Sequence, residues 1–297
     1  MNIDYSDFGK NILTRDAEGN FYRLKIENDD WADSPREWDN LGHMICWHRN
    51  YNLGDGHNYS DPEDMWRDLV RKYISGDDLI QYALSGKGSV LLEKVKDEDG
   101  EESYELYWYG YISFCSEKQS PSWCLEKVYD TDNLDDLKSG WYLEDDIIDN
   151  LSISDCETLL EGKVFYYPLY LYDHSGITMS IGSFGDSWDS GQVGWIYCTK
   201  DDIEKEYNSF TQKDIDTAMS VMESEVEVYD QYLRGDVYWY SRDSFIGGKI
   251  GDESVRPEDV LEDDCFWRTE DSCGGFFGDD VETNGMLELW PEGLETV

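Results

Sequence analysis

The sequence predicts an α+β fold: mainly antiparallel sheet with several helices, one of them long and lying near residues 211–233. Three observations carry that expectation. Apolar alternation recurs in short runs joined by tight turns, as strands that pair with their neighbours require. Other segments place apolar residues three and four apart behind a capping residue, the helical signature. The two kinds are mixed without regular strand–helix–strand alternation, which argues against a parallel α/β sheet.

Taken in order, Phe21 to Ile26 alternates after the turn signal Glu18-Gly19-Asn20 and reads as a strand. Leu41 to Arg49 is a second apolar stretch, closed by the turn-rich Asn50 to Ser60. A helix start follows, with Ser60 or Asp61 as cap, Pro62 in the first turn, and Glu63 and Asp64 at the positive helix end. Met65, Trp66, Leu69, Val70 and Tyr73 supply its stripe, and Asp77 to Leu84 reads as a second short helix. Ser89–Val95 and Tyr104–Phe114 flank an acidic, glycine-containing turn as a hairpin. Leu143–Leu151 and Ile153–Leu160 read as helices with exposed carboxylates.

Val164–Tyr172, the turn Asp173-His174-Ser175-Gly176 and Ile177–Ile181 make strand, turn, strand. Val193–Cys198 is a third strand, and Thr199 caps a helix that begins at Lys200. The long helix runs from Thr211 to Leu233, with Ile215, Met219, Met222, Val226, Tyr229 and Leu233 at helical spacing. Gly235 ends it and Val237–Tyr240 returns as a strand. The glycines at 274, 275 and 278 read as a tight turn between aromatics, followed by an amphipathic element around Met286–Trp290. Polar and charged residues outweigh apolar ones near 115–140, dividing an N-terminal α+β region, 1–120, from a C-terminal one, 140–297, unless both form one domain.

The chain is intensely acidic: 67 Asp and Glu against 24 Lys and Arg over 297 residues, a formal charge of −43. Disorder often accompanies such a charge, because few apolar groups remain to offset chain entropy. Here 39% of residues are hydrophobic and 15% aromatic, enough for a folded core. The excess runs along the whole chain in short clusters such as Asp97–Glu102 and Glu262–Asp264, so it must clothe the folded body rather than form a tail. Self-repulsion of this kind destabilises a compact state. Three readings of the charge compete: solubility or salt adaptation, an acidic calcium-binding or chaperone-like surface, and mimicry of nucleic acid. The aromatic richness argues against salt adaptation. DNA meets proteins through rows of Lys and Arg, and a carboxylate-studded body suits those same rows. Direct binding to DNA or RNA is disfavoured, since aromatic stacking platforms normally come with a basic groove.

No run approaches the roughly 18 apolar residues of a membrane span. The opening segment has neither the basic region nor the apolar core of a signal peptide, and seven scattered cysteines read as reduced thiols. A cytoplasmic setting is expected.

His43, Cys46, His48 and His57 invite a zinc reading, which the absence of Cys-x-x-Cys pairs and the alternation of a strand both weaken. Asp173-His174-Ser175 is a turn rather than a triad, because triad members converge from separated segments. Asp97–Glu102 lacks the ligand order of an EF-hand loop, so only weak surface binding of divalent cations is expected. No nucleophile elbow and no phosphate-binding Lys loop occurs. The residue pattern therefore names no catalytic residue, no metal site and no cofactor.

Three sets of strings form a recognisable group. They are Trp38-Asp39-Asn40-Leu41-Gly42 with Cys46-Trp47-His48-Arg49 and Tyr51–Asp55; Leu171–Ile177 with Trp188–Gly194; and Asp271-Ser272-Cys273 with Gly275–Asp279. Together they resemble a largely uncharacterised family of acidic proteins encoded by phages and other mobile elements. The resemblance implies provenance and supplies no catalytic residue.

With that provenance, the expected function is a non-enzymatic anti-defence inhibitor. It would act in the host cytoplasm on a basic, nucleic-acid-binding surface of a restriction, CRISPR or Gabija-type complex. Trp188, Asp189, Gln192 and Trp195, with the acidic pair Asp201 and Asp202, are the candidate partner contacts; stabilising the turn and core is the competing role of the first four. An enzyme whose His48 and Asp173–His174 regions share a cleft, and an acidic structural or accessory phage protein, are the alternatives.

Overall fold

A computed structural model describes residues 3–110, 122–138, 142–185, 188–247, 255–291 and 293–297. In chain order the strands are β1 (Asn11–Arg15), β2 (Phe21–Asn28), β3 (His43–Cys46), β4 (Val90–Lys96), β5 (Glu102–Gly110), β6 (Ser122–Tyr129), β7 (Val164–Asp173), β8 (Ile177–Ser180), β9 (Ser190–Thr199), β10 (Val237–Phe245), β11 (Trp267–Phe277) and β12 (Glu295–Thr296). The helices are α1 (Pro62–Tyr73), α2 (Gly76–Ser85), α3 (Leu134–Lys138), α4 (Tyr142–Ile148), α5 (Ile153–Leu159), α6 (Lys200–Tyr207) and α7 (Gln212–Arg234). The fold is α+β with mostly antiparallel sheets.

Two compact units interleave along the chain: 1–44, 167–196 and 216–297 form the first, and 45–166 with 197–215 the second. The stretches 1–120 and 140–297 marked out by composition are successive instead. The chain passes between units within or beside β3, β7, β9 and α7.

The first unit contains an antiparallel sheet in the order β11-β10-β2-β1-β12. β1 and β2 are joined by a turn in which the Asp16 side chain accepts from the amides of Glu18 and Asn20. Alternation along β2 buries Leu24 and Ile26, which pack with Tyr238, Tyr240 and Phe276 of β10 and β11. A 3-10 turn at Met286–Leu289 adds Met286 to this cluster, and Trp290 follows it in. Arg23, also buried, forks onto Asp243 at 2.9 and 2.6 Å, so neither charge is left alone in the sheet.

The Trp38–Gly42 string fastens α7. The carboxylate of Glu225 accepts from the Leu41 amide at 2.8 Å and pairs with Arg36 at 3.1 Å. Gly42 is needed because a Cβ there would lie 2.9 Å from that carboxylate and 2.7 Å from Ile196. One turn further on, Asp230 accepts from the Thr178 hydroxyl and the Met179 amide of β8, at 2.6 and 2.7 Å.

The second unit holds the sheet β4-β5-β6 and the helices α1 to α6. Asp61 caps α1 by accepting from the Asp64 amide, ahead of Pro62. Asp155 on α5 is buried and fully used: it accepts from the Tyr82 hydroxyl at 2.7 Å, the Ser89 amide, and the Ser152 amide and hydroxyl. Thr199 and Asp202 form a reciprocal capping box at the start of α6.

Two sequence readings need correction. Gly274 and Gly275 lie inside strand β11, where the pairing with β10 slips between Tyr238 and Tyr240, rather than in a turn between strands. The polar stretch near 115–140 holds β6 and α3 over its described part. Tyr111 to Cys115, the end of the expected hairpin strand and one thiol, lie outside the described residues.

Candidate functional site

The end of β2 is built to present carboxylates and aromatics together. Past Asn28 the chain turns through Asp29-Asp30-Trp31, and Asp29 organises the turn. One carboxylate oxygen accepts from the Trp31 amide at 3.2 Å and the other from the Gly275 amide at 3.0 Å. The Asp29 amide donates to the Val237 carbonyl at 2.7 Å. Gly275 has φ +79, open to glycine, and a Cβ at Gly274 would strike the Asp29 carboxylate. The glycine pair in β11 thus makes room for an aspartate on a distant strand end.

Beside this turn lies an open cleft of about 720 Å³ within the first unit. Its acidic side is Glu27, Asp29 and Asp30; its aromatic side comes from Tyr5, Phe8, Trp31, Tyr238 and Trp239. Trp31 is 92% exposed, an unusual position for a large indole. Among the described residues, no Lys or Arg lines the cleft. Glu27 is paired with Lys25 at 2.9 Å, whereas Asp30 is exposed and makes no hydrogen bond or ion pair among the described residues.

Tyr238 forms part of the wall, with the Phe8 ring 4.8 Å away edge-on. It is 1% exposed, and among the described residues its hydroxyl has no hydrogen-bond partner of acceptable geometry. Burial pushes its phenol well above the ordinary tyrosine range, and Asp236 and Tyr5 add to the shift. A closed-off, unpaired hydroxyl costs about 1–3 kcal/mol unless something supplies its bond.

The residues anticipated as partner contacts fare differently. Trp188 is 94% exposed, and Asp189 beside it pairs with His174 Nδ1 at 2.9 Å. Gln192 is exposed and leans on the Gly194 carbonyl at 3.4 Å. Trp195 is 8% exposed, so its indole serves the interior rather than a partner. In the second unit, Asp201 faces solvent while Asp202 is held by the Thr199 amide at 2.8 Å and hydroxyl at 2.6 Å. Asp202 is a cap before it is anything else. The Asp29–Trp31 cluster went unnoticed in the sequence, although three such residues directly after a strand are a readable signal.

The histidines are engaged locally. In the second unit, the His57 Nε2 lies 2.9 Å from the Cys46 carbonyl, and His48 stacks on Tyr51 at 4.9 Å. Asp173–Gly176 forms the expected hairpin turn, with the His174 amide donating to the Gly176 carbonyl at 3.0 Å. Among the described residues, no group of three or more His, Cys, Asp or Glu is placed to hold a metal ion. Burial pushes the Cys156 thiol up to about 12, and Asp263 raises that of Cys265, so neither is primed as a thiolate.

The acidic turn of the β4–β5 hairpin is built by its own carboxylate, Asp97, which accepts from the amides of Asp99 and Glu101. No family model matches this chain, and no curated protein or solved structure is similar to it.

Proposed function

We propose that this chain is a non-enzymatic, acidic inhibitor of phage or mobile-element origin. It docks in the host cytoplasm on the basic, nucleic-acid-binding surface of a defence complex. The observation that supports this most is how the few cations are spent. Arg23, Arg36, Arg71, Lys94, Lys127 and Lys138 all bind the chain's own carboxylates, and the chain carries an excess of 43 negative charges. On α7 the exposed Asp216, Glu223 and Glu227 are spaced about 10 and 6 Å apart at 1.5 Å per residue. Such a row meets Lys and Arg side chains that otherwise hold a phosphate backbone, and long-range attraction speeds the encounter. The resemblance carried by Trp38–Gly42, Leu171–Ile177 and Asp271–Asp279 supports the mobile-element origin. Restriction, CRISPR and Gabija-type nucleases are the target classes that fit this chemistry.

Affinity capture from host cells expressing such systems, at low and high salt, tests the proposal. Retention of a nuclease or nucleic-acid-binding complex at low salt, released by duplex DNA, is expected. Capture of no defence protein at either salt concentration overturns it.

A further inference from the structure

We infer that the cleft beside Asp29-Asp30-Trp31 is a binding site for an arginine side chain, presented on a basic polypeptide. The inference rests on the reading of the chain as a ligand for a basic partner, and it names the group recognised. Three features point to a guanidinium. Two of the three cleft carboxylates have no cation beside them among the described residues: Asp30 has no partner there, and Asp29 is fixed by two backbone amides. A fixed carboxylate retains lone pairs for a further donor, and a guanidinium brings five N–H groups in a rigid fork.

The second feature is Trp31. An indole 92% exposed at the rim of an acidic cleft offers a face on which a flat cation stacks better than a compact ammonium. The third is independent of the charge. Tyr238, 1% exposed, lines the same cleft, and among the described residues its hydroxyl makes no hydrogen bond of acceptable geometry, Tyr5 being its polar neighbour. The hydroxyl has an acceptor lone pair to offer, and a guanidinium has donors left after engaging a carboxylate. An ammonium, strongly hydrated and lacking a planar face, uses fewer of these features.

The test is a calorimetric titration of the full chain with three dipeptides blocked at both ends: Arg-Arg, Lys-Lys and the neutral isostere of Arg-Arg made from citrulline. Arg-Arg is expected to bind about fivefold tighter than Lys-Lys, the scale of one cation–π contact, and the citrulline peptide not measurably. Trp31→Ala and Asp30→Asn change exposed side chains, so both fold, and each is expected to weaken Arg-Arg by about three- to tenfold. Glu206→Gln, an exposed carboxylate in the other unit, leaves it unchanged. Tyr238→Phe separates function from packing, because it removes only an unpaired hydroxyl. Unchanged or higher thermal stability with weaker Arg-Arg binding supports the site; unchanged binding removes the tyrosine from it. Equal affinities for Arg-Arg and Lys-Lys, insensitive to Trp31→Ala and Asp30→Asn, overturn the site and leave the acidic-inhibitor reading standing. Selective Arg-Arg binding with no basic protein partner retained would sustain the site and defeat that reading.

Discussion

Asp29 and Gly274 are 245 positions apart in sequence and share one small space in the sheet. The Asp29 carboxylate reaches the Gly275 amide only because position 274 lacks a Cβ, and the Trp239 Cβ already stands 3.3 Å from where one would sit. Gly274→Ala is therefore expected to cost about 1–3 kcal/mol, the usual range for forcing a methyl into filled space. Asp29→Ala alone loses hydrogen bonds that are partly replaced by water, at about 1 kcal/mol. Combining the two removes the clash, so the double variant should be more stable than the sum of the singles predicts. Urea denaturation of all four proteins reads this coupling, and strict additivity would refute the close approach. The pairing also shows what was hidden from sequence. A Gly-Gly in a polar run reads as a turn, because nothing local announces an aspartate arriving from a strand more than 200 residues away. Trp195 shows the same limit: the sequence leaves it between partner contact and core packing, and β9 buries it to 8% exposure.

At the scale of elements, the caps decide where helices begin and which carboxylates are free to meet a partner. Asp201 and Asp202 are adjacent and chemically alike, but only Asp202 closes the box with Thr199. Asp202→Ala is expected to destabilise the fold by about 1 kcal/mol, and Thr199→Ala by a similar amount. Asp201→Ala stays within about 0.5 kcal/mol, as exposed substitutions do. Thermal melts of the three variants check this order; a loss at Asp201 equal to that at Asp202 would mean that the box is not what holds α6. Elements with a cap and a stripe were legible: α1 from Asp61 and Pro62, α6 from Thr199, α7 from its buried Met222, Val226 and Tyr229. Strands β6 and β11 were not. β6 leaves Trp123, Leu125 and Val128 exposed and is paired with β5 across a register shift, so it has no clean inside–outside alternation. β11 is exposed along most of its length at the edge of its sheet, and a strand with two wet faces looks like a loop. Sheet order was hidden as well, since the pairing of β2 with β10 depends on the whole chain being folded.

For the whole molecule, the same charge acts in opposite directions on the fold and on a complex. Above the carboxylate range the excess of 43 negative charges repels itself and lowers stability. Lowering the pH from 7 toward the isoelectric point near 4.1 relieves this repulsion. A second set of groups opposes the gain at lower pH. Asp155, held down by Ser89, Ser152 and Tyr82 against its burial, and Glu102, lowered to about 2 by Lys94 and Lys96, have folded-state values below their unfolded ones. The stabilisation such groups give is complete above the unfolded value and disappears as pH falls through the folded one. The melting temperature is thus expected to rise between about pH 7 and 5 and to fall below about pH 3.5, where linkage to depressed carboxylates takes over. Salt at pH 7 tests the same balance more directly. Raising sodium chloride from about 0.05 to 0.5 M shortens the screening length severalfold, so self-repulsion weakens and the melting temperature should increase. Attraction to a basic partner weakens with it, and affinity should fall over that interval. Opposite signs in the two measurements would place the net charge at the root of both. A melting temperature indifferent to salt would mean that local pairing already balances the surface, and a complex equally indifferent would move the source of binding from the carboxylates to exposed aromatics such as Trp31 and Trp188.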